Sequence, residues 1–95
     1  MPPRHQAFTK PTVFRLNAPK AHEVVLVIRP IKGGSPSTHP LQRGIDGTWH
    51  VTLELTRGRH LYRFLVDHVP TLDPVSRGTV HDDRHGPCSM REVGH

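Results

Sequence analysis

The chain has one cysteine, Cys88, in 95 residues. A single thiol excludes an internal disulfide and suits a reducing compartment. Aromatic residues are scarce at 5%, with one tryptophan and one tyrosine. No run nears the ~20 apolar residues that span a bilayer. The opening MPPRHQAFTKPT has no apolar stretch of the kind that forms the core of a signal peptide. The expectation is a cytoplasmic protein with no membrane partner. No segment carries the spacing of an amphipathic helix. A Gly-x-Ser-x-Gly elbow, a P-loop and a Gly-x-Gly-x-x-Gly turn are all missing. Glu54 and Asp67 are the nearest thing to a carboxylate pair for glycoside hydrolysis, and nothing sets them across a cleft. Neither catalysis nor a cofactor is expected.

Hydrophobic residues make up 34% of the chain, but they are concentrated. Val24 to Ile28, Trp49 to Leu55 and Leu61 to Val66 hold most of them. Such concentration favours a folded core over disorder. The formal charge of +5 is spread from Arg4 to Arg91 without a basic run or interleaved aromatics. That spread reads as a solvated surface and argues against nucleic acid as the partner.

Alternation of apolar and polar residues gives the strands. Residues 1–10 read as a flexible tail, and 11–95 as one β-sandwich domain. Thr12–Leu16 is a first strand, followed by a turn at Asn17 to Lys20. His22–Arg29 is apolar on both faces, which marks a central strand. Pro30–Pro40 holds three prolines and two glycines and reads as a long loop. Leu41–Arg43 is a short edge strand. In Thr48–Leu55, Trp49, Val51, Leu53 and Leu55 face inward, opposite His50, Thr52 and Glu54. Arg57-Gly58 reads as a hairpin turn into Arg59–Asp67. That pairing would set His50 and His60 near each other. Pro70–Pro74 is a bend, Val75–Pro87 is turn-rich, and Cys88–Val93 closes the fold. The pattern predicts an all-β, immunoglobulin-like antiparallel sandwich of about seven short strands.

Individual residues have ordinary roles in this reading. Trp49 and Phe14 belong to the core, and Phe8 to the tail. Tyr62 buries its ring and reaches a partner with its hydroxyl. Asp67 and Asp73 bond backbone groups in turns. Nine histidines are many for this length. His81-Asp82-Asp83-Arg84-His85 groups metal-capable side chains, but between Gly78 and Gly86-Pro87 it reads as a polar loop. No metal is expected.

Four segments carry a family likeness. Pro11-Thr12-Val13-Phe14-Arg15-Leu16 looks like an opening strand, and His22-Glu23-Val24-Val25-Leu26 like the second. Asp46-Gly47-Thr48-Trp49 with Val51, Leu53 and Leu55 resembles the middle strand. Gly58-Arg59-His60-Leu61-Tyr62-Arg63-Phe64-Leu65-Val66-Asp67, followed by Asp73-Pro74, resembles the most recognisable hairpin. Together they resemble carbohydrate-binding module family 48. Its members are the early-set domains at the N-termini of isoamylases and glycogen branching enzymes, and the glycogen-binding domain of the AMP-activated protein kinase beta subunit.

The resemblance implies a non-catalytic module for α-glucan of the glycogen or starch type. Family members stack the sugar's C–H face on exposed tryptophans. Here Arg29 to Gly34 holds no aromatic, and Pro70 stands at the second tryptophan position. A basic residue beside the hairpin tyrosine carries over as Arg63. The last loop, where the family offers an asparagine, reads Pro87-Cys88-Ser89. The expected carbohydrate-binding residues are therefore Arg63, His68 and His85, acting by hydrogen bonds with little stacking. The missing tryptophans support a second function class, a protein-interaction or regulatory domain with a protein partner.

Overall fold

A computed structural model describes residues 9–76, 78–82 and 86–94 of the chain. The tail expected before Thr9, Phe8 within it, and His85 lie outside the described residues. Nine strands stand among those described. They are β1 (Thr9–Asn17), β2 (Val24–Pro30), β3 (Ser37–Pro40), β4 (Gln42–Arg43), β5 (Thr48–Thr56), β6 (Gly58–Val66), β7 (Val69–Thr71), β8 (Thr79–Asp82) and β9 (Gly86–Val93). One sheet has the order β1-β5-β4. The other has the order β3-β2-β6-β9-β8, with β7 also paired to β6. All pairings are antiparallel. The fold is the immunoglobulin-like sandwich that the alternation predicts.

The core lies between the sheets and follows the period of two. Val24, Leu26 and Ile28 enter from β2, Tyr62 and Phe64 from β6, and Phe14, Leu16 and Trp49 from the facing sheet. Leu26 and Phe64 are 0% exposed. The Tyr62 ring meets Phe14 edge to face at 4.9 Å and Phe64 at 5.9 Å. Trp49 is buried, and its indole N–H donates to the Ala18 carbonyl at 2.9 Å. That bond helps hold the loop after β1 in place. The Gly47 turn closes over the same loop with φ of 81°, where a Cβ would lie 2.8 Å from Pro19.

Several expectations need correction. Thr9 and Lys10, placed in the tail by sequence, open β1. The stretch read as a loop from Pro30 to Pro40 contains β3. Chain direction explains this: β3 pairs with β2 through Val25↔Pro40, then Leu41 crosses to the other sheet, and β4 pairs with β5. The Leu41 N–H donates to Val24 O at 2.9 Å at that crossing. Arg57-Gly58 does not make a hairpin. It passes the chain between sheets, because β5 pairs with β1 and β4 while β6 pairs with β2, β7 and β9. His50 and His60 are therefore not cross-strand neighbours. His60 is buried, with Nε2 2.9 Å from Thr56 O. The bend expected at Pro70 includes β7, and the turn-rich stretch after Val75 includes β8.

The true hairpin joins β6 to β7 through Asp67 and His68, at φ of 49° and 72°. Positive φ at both central residues is what a type I′ turn demands, and aspartate tolerates it better than most side chains. Asp67 also fastens the turn to the start of β2. Its Oδ1 accepts the N–H groups of His22 and Glu23, each at 2.8 Å. These bonds, Glu23 first, hold the Asp67 carboxyl below its ordinary value of 3.8. A carboxyl lowered in the folded state adds stability above its unfolded pKa and loses it as pH falls through the folded value. Acidification below about pH 4 is expected to lower the urea midpoint more in the wild type than in Asp67→Asn. Parallel declines in the two proteins would remove the turn from the acid response.

Candidate functional site

On the six-stranded sheet, side chains that alternate with the core point to the outer face. The register places Val27 beside Arg63, Val25 beside Leu65, and Arg29 beside Leu61. On its far side β6 changes partner. It pairs with β9 as far as Tyr62↔Ser89, then with β7 from Phe64↔Thr71. Arg63 stands at the changeover. The end of β7 and the start of β9 diverge there, and the gap forms a depression of about 180 Å³ lined by Arg63, Pro70, Thr71, Leu72 and Pro87. On the other side of Arg63 is a narrow apolar slot of about 30 Å³, lined by residues that include Val27, Pro36, Leu61 and Cys88. Leu61 and Cys88 are both buried at 5% exposure.

The loop after β7 is fixed from within the sandwich. The Tyr62 hydroxyl donates to Asp73 Oδ2 at 2.5 Å, as the sequence reading expects of this ring. The phenol's pKa is pushed far up, first by burial and then by this bond. Asp73 Oδ1 accepts the Val75 N–H at 3.0 Å, and the Asp73 N–H donates to Ser89 Oγ at 2.9 Å. A wider hollow of about 450 Å³ adjoins Tyr62, Asp73, Ser76 and Arg91. Tyr62, Asp73, Ser76 and Arg91 are engaged in the fold there. The Arg91 guanidinium donates to Val13 O at 3.1 Å and lies over the Phe14 ring at 5.1 Å. We assign that hollow to support of the loop and not to ligand.

Of the two predicted residues that are described, Arg63 lines the depression and His68 does not. His68 sits in the β6–β7 turn with an exposed ring, its Nε2 3.4 Å from Glu23 Oε1. His22 stands beside it in the same manner, 3.8 Å from Asp67 Oδ2. His85 lies outside the described residues. Thr71, Leu72 and Pro87 are lining residues that alternation did not single out. Their place depends on β9 giving way to β7, which only the three-dimensional pairing reveals. Among the described residues, no three His, Cys, Asp or Glu side chains gather to hold a metal ion.

Comparison with known proteins gives a family and a set of similar structures. The family profile for carbohydrate-binding module 48 (isoamylase N-terminal domain) matches residues 3–76. No curated protein matches the sequence. A pullulanase from Paenibacillus barengoltzii, solved in complex with maltohexaose and alpha-cyclodextrin, is 26% identical with a TM-score of 0.60. The match covers 90% of this chain and 14% of that one. A pullulanase from Bacillus acidopullulyticus is 21% identical with a TM-score of 0.61, over 93% of this chain and 12% of that one. The second likeness bears on the fold alone. This chain spans only a small part of the length of either enzyme.

Proposed function

The chain belongs to the carbohydrate-binding module 48 family, the isoamylase N-terminal domain, and from that membership we propose a non-catalytic module that holds α-glucan weakly at the depression around Arg63. The observation that carries this reading is the opening of Arg63 into a hollow walled by Pro70, Leu72 and Pro87. The guanidinium supplies fixed N–H donors for sugar hydroxyls. The two prolines and the leucine give the sugar's C–H face an apolar wall without an aromatic plane. The pullulanase complex with maltohexaose and alpha-cyclodextrin lends the ligand class. A reducing, cytoplasmic setting suits the free thiol of Cys88.

The test is a heteronuclear NMR titration with maltoheptaose. Shifts are expected on Arg63, Thr71, Leu72 and Cys88. Arg63→Ala is expected to weaken binding at least about tenfold, since a hydrogen bond to a charged group contributes ~1.5–3 kcal/mol. No shifts at millimolar sugar would overturn the assignment.

One observation favours a second reading. Among the described residues no aromatic side chain lines the depression, so the scaffold also fits a protein-interaction or regulatory domain. Retention on amylose that free maltooligosaccharide abolishes supports the glucan reading alone.

A further inference from the structure

The free edge of β5 is built differently from the other sheet edges. β1 pairs with β5 along its whole length, from Thr9↔Thr56 to Asn17↔Thr48. On the opposite side β4 reaches only Trp49 and His50. Beyond that point Leu41 has left for the other sheet. Among the described residues no strand pairs with that side of Val51–Thr56.

Direction along the strand identifies the exposed backbone groups. The Gly44 N–H donates to Thr48 O at 2.8 Å on the β4 side. Alternate residues of an antiparallel strand turn their N–H and C=O the same way. Thr52 and Glu54 therefore offer theirs to the open edge. The Thr56 carbonyl, next in that series, faces His60 Nε2 at 2.9 Å.

Natural sheets block such edges with proline, charge or shortness. β1 carries Pro11, β3 carries Pro40, and β7 carries Pro70. β4 has two residues and β8 has four. The Val-Thr-Leu-Glu-Leu-Thr edge of β5 has no proline and one charge. That charge leans away, because Glu54 Oε1 accepts the Thr9 hydroxyl at 3.0 Å on the β1 side. Val51, Leu53 and Leu55 are only partly buried, on the face turned to the core.

We propose that this edge pairs with the same edge of a second copy, in an antiparallel register centred on Leu53. The register is self-complementary over Val51–Leu55, and Thr56 turns aside beyond it because Gln42 already pairs with His50 on that edge. Thr52 faces the partner's Glu54, and Glu54 faces the partner's Thr52, so both sets of open backbone groups are matched twice. Leu53 meets Leu53, and Val51 meets Leu55, on the apolar face. No like charges stand directly opposite, a placement that destabilises a strand pair. The joined sheet runs continuously through both copies. The edge belongs to the three-stranded sheet, and the Arg63 depression to the outer face of the other, so the inference does not depend on the proposed sugar site.

Sedimentation velocity of the 95-residue chain, from micromolar to millimolar, tests this. The average mass is expected to rise from 10.7 kDa toward twice that value. Thr52→Pro removes an N–H that faces the open edge and not β1, a position where proline is tolerated. It is expected to stay monomeric with an unchanged thermal melt. Thr52→Glu sets two pairs of like charges opposite each other and is expected to weaken the dimer about fivefold, relieved by salt. Thr52→Lys, facing Glu54 twice, retains it. A wild type that is monomeric at every concentration overturns the proposal. So does a dimer that Thr52→Pro and Thr52→Glu both leave intact, or one that Thr52→Lys weakens as much as Thr52→Glu does.

Discussion

Phe64→Ala is expected to cost about 3–5 kcal/mol of folding stability, the range for emptying a buried phenylalanine site. A domain of this size is stable by only about 5–15 kcal/mol. One truncation therefore removes a large share of the margin. Phe64 is 0% exposed and packs edge to face against Tyr62 at 5.9 Å. Its neighbours come from both sheets, so they have little freedom to collapse into the space. Urea unfolding followed by the fluorescence of Trp49, the one tryptophan and itself buried, measures the change. Leu65→Ala, one residue along on the half-buried outer face, serves as the comparison and should cost much less. Equal losses at the two positions would mean that the inward and outward faces of β6 have been assigned wrongly.

Asp73→Ala is expected to cost about 2–4 kcal/mol, more than its partly buried place suggests. The change takes the carboxylate acceptor from the Tyr62 hydroxyl, with Ser76 left beside it, and a buried donor short of its acceptor costs about 1–3 kcal/mol. It also removes the acceptor of the Val75 N–H that holds the bend after Pro74. Tyr62→Phe should cost about 1 kcal/mol, because it removes the donor along with the bond. In the double variant, Tyr62→Phe should recover part of the Asp73→Ala loss, which identifies the Tyr62 hydroxyl as the cause. Strictly additive costs would separate the two residues. The loop that Asp73 holds carries Thr71 and Leu72, so the wall of the depression should loosen with it.

How far the sequence discloses this molecule depends on whether a signal is local. Period-two alternation is local, and it places Phe14, Leu26, Trp49 and Phe64 in the core without reference to partners. The choice of sheet is not local. β5 and β6 both present apolar faces, and Arg57-Gly58 has the composition of a hairpin turn, yet the two strands enter opposite layers. β3 is hidden because its proline, Pro40, which protects an edge, is also a residue type that marks a loop. β7 is hidden twice. Pro70 demotes the strand, and the Asp67-His68 turn reaches positive φ without a glycine to announce it. The same split governs the depression. Arg63 is reached through the family likeness, as the basic residue beside the hairpin tyrosine, and it lines the depression. Pro87 is not reached in this way, because it enters the depression only where β9 parts from β6.

The crossing at Leu41 has a kinetic consequence. β3 and β4 form one extended run that begins in one sheet and ends in the other, so neither layer is completed before the other is engaged. β1 must find β5 with residues 18–47 between them. Closing a span of that length costs entropy before any contact offsets it. Sandwiches dominated by such pairings fold in milliseconds to seconds. This chain should therefore fold in one slow, cooperative step, with the Leu41 crossover tying the completion of the two layers together.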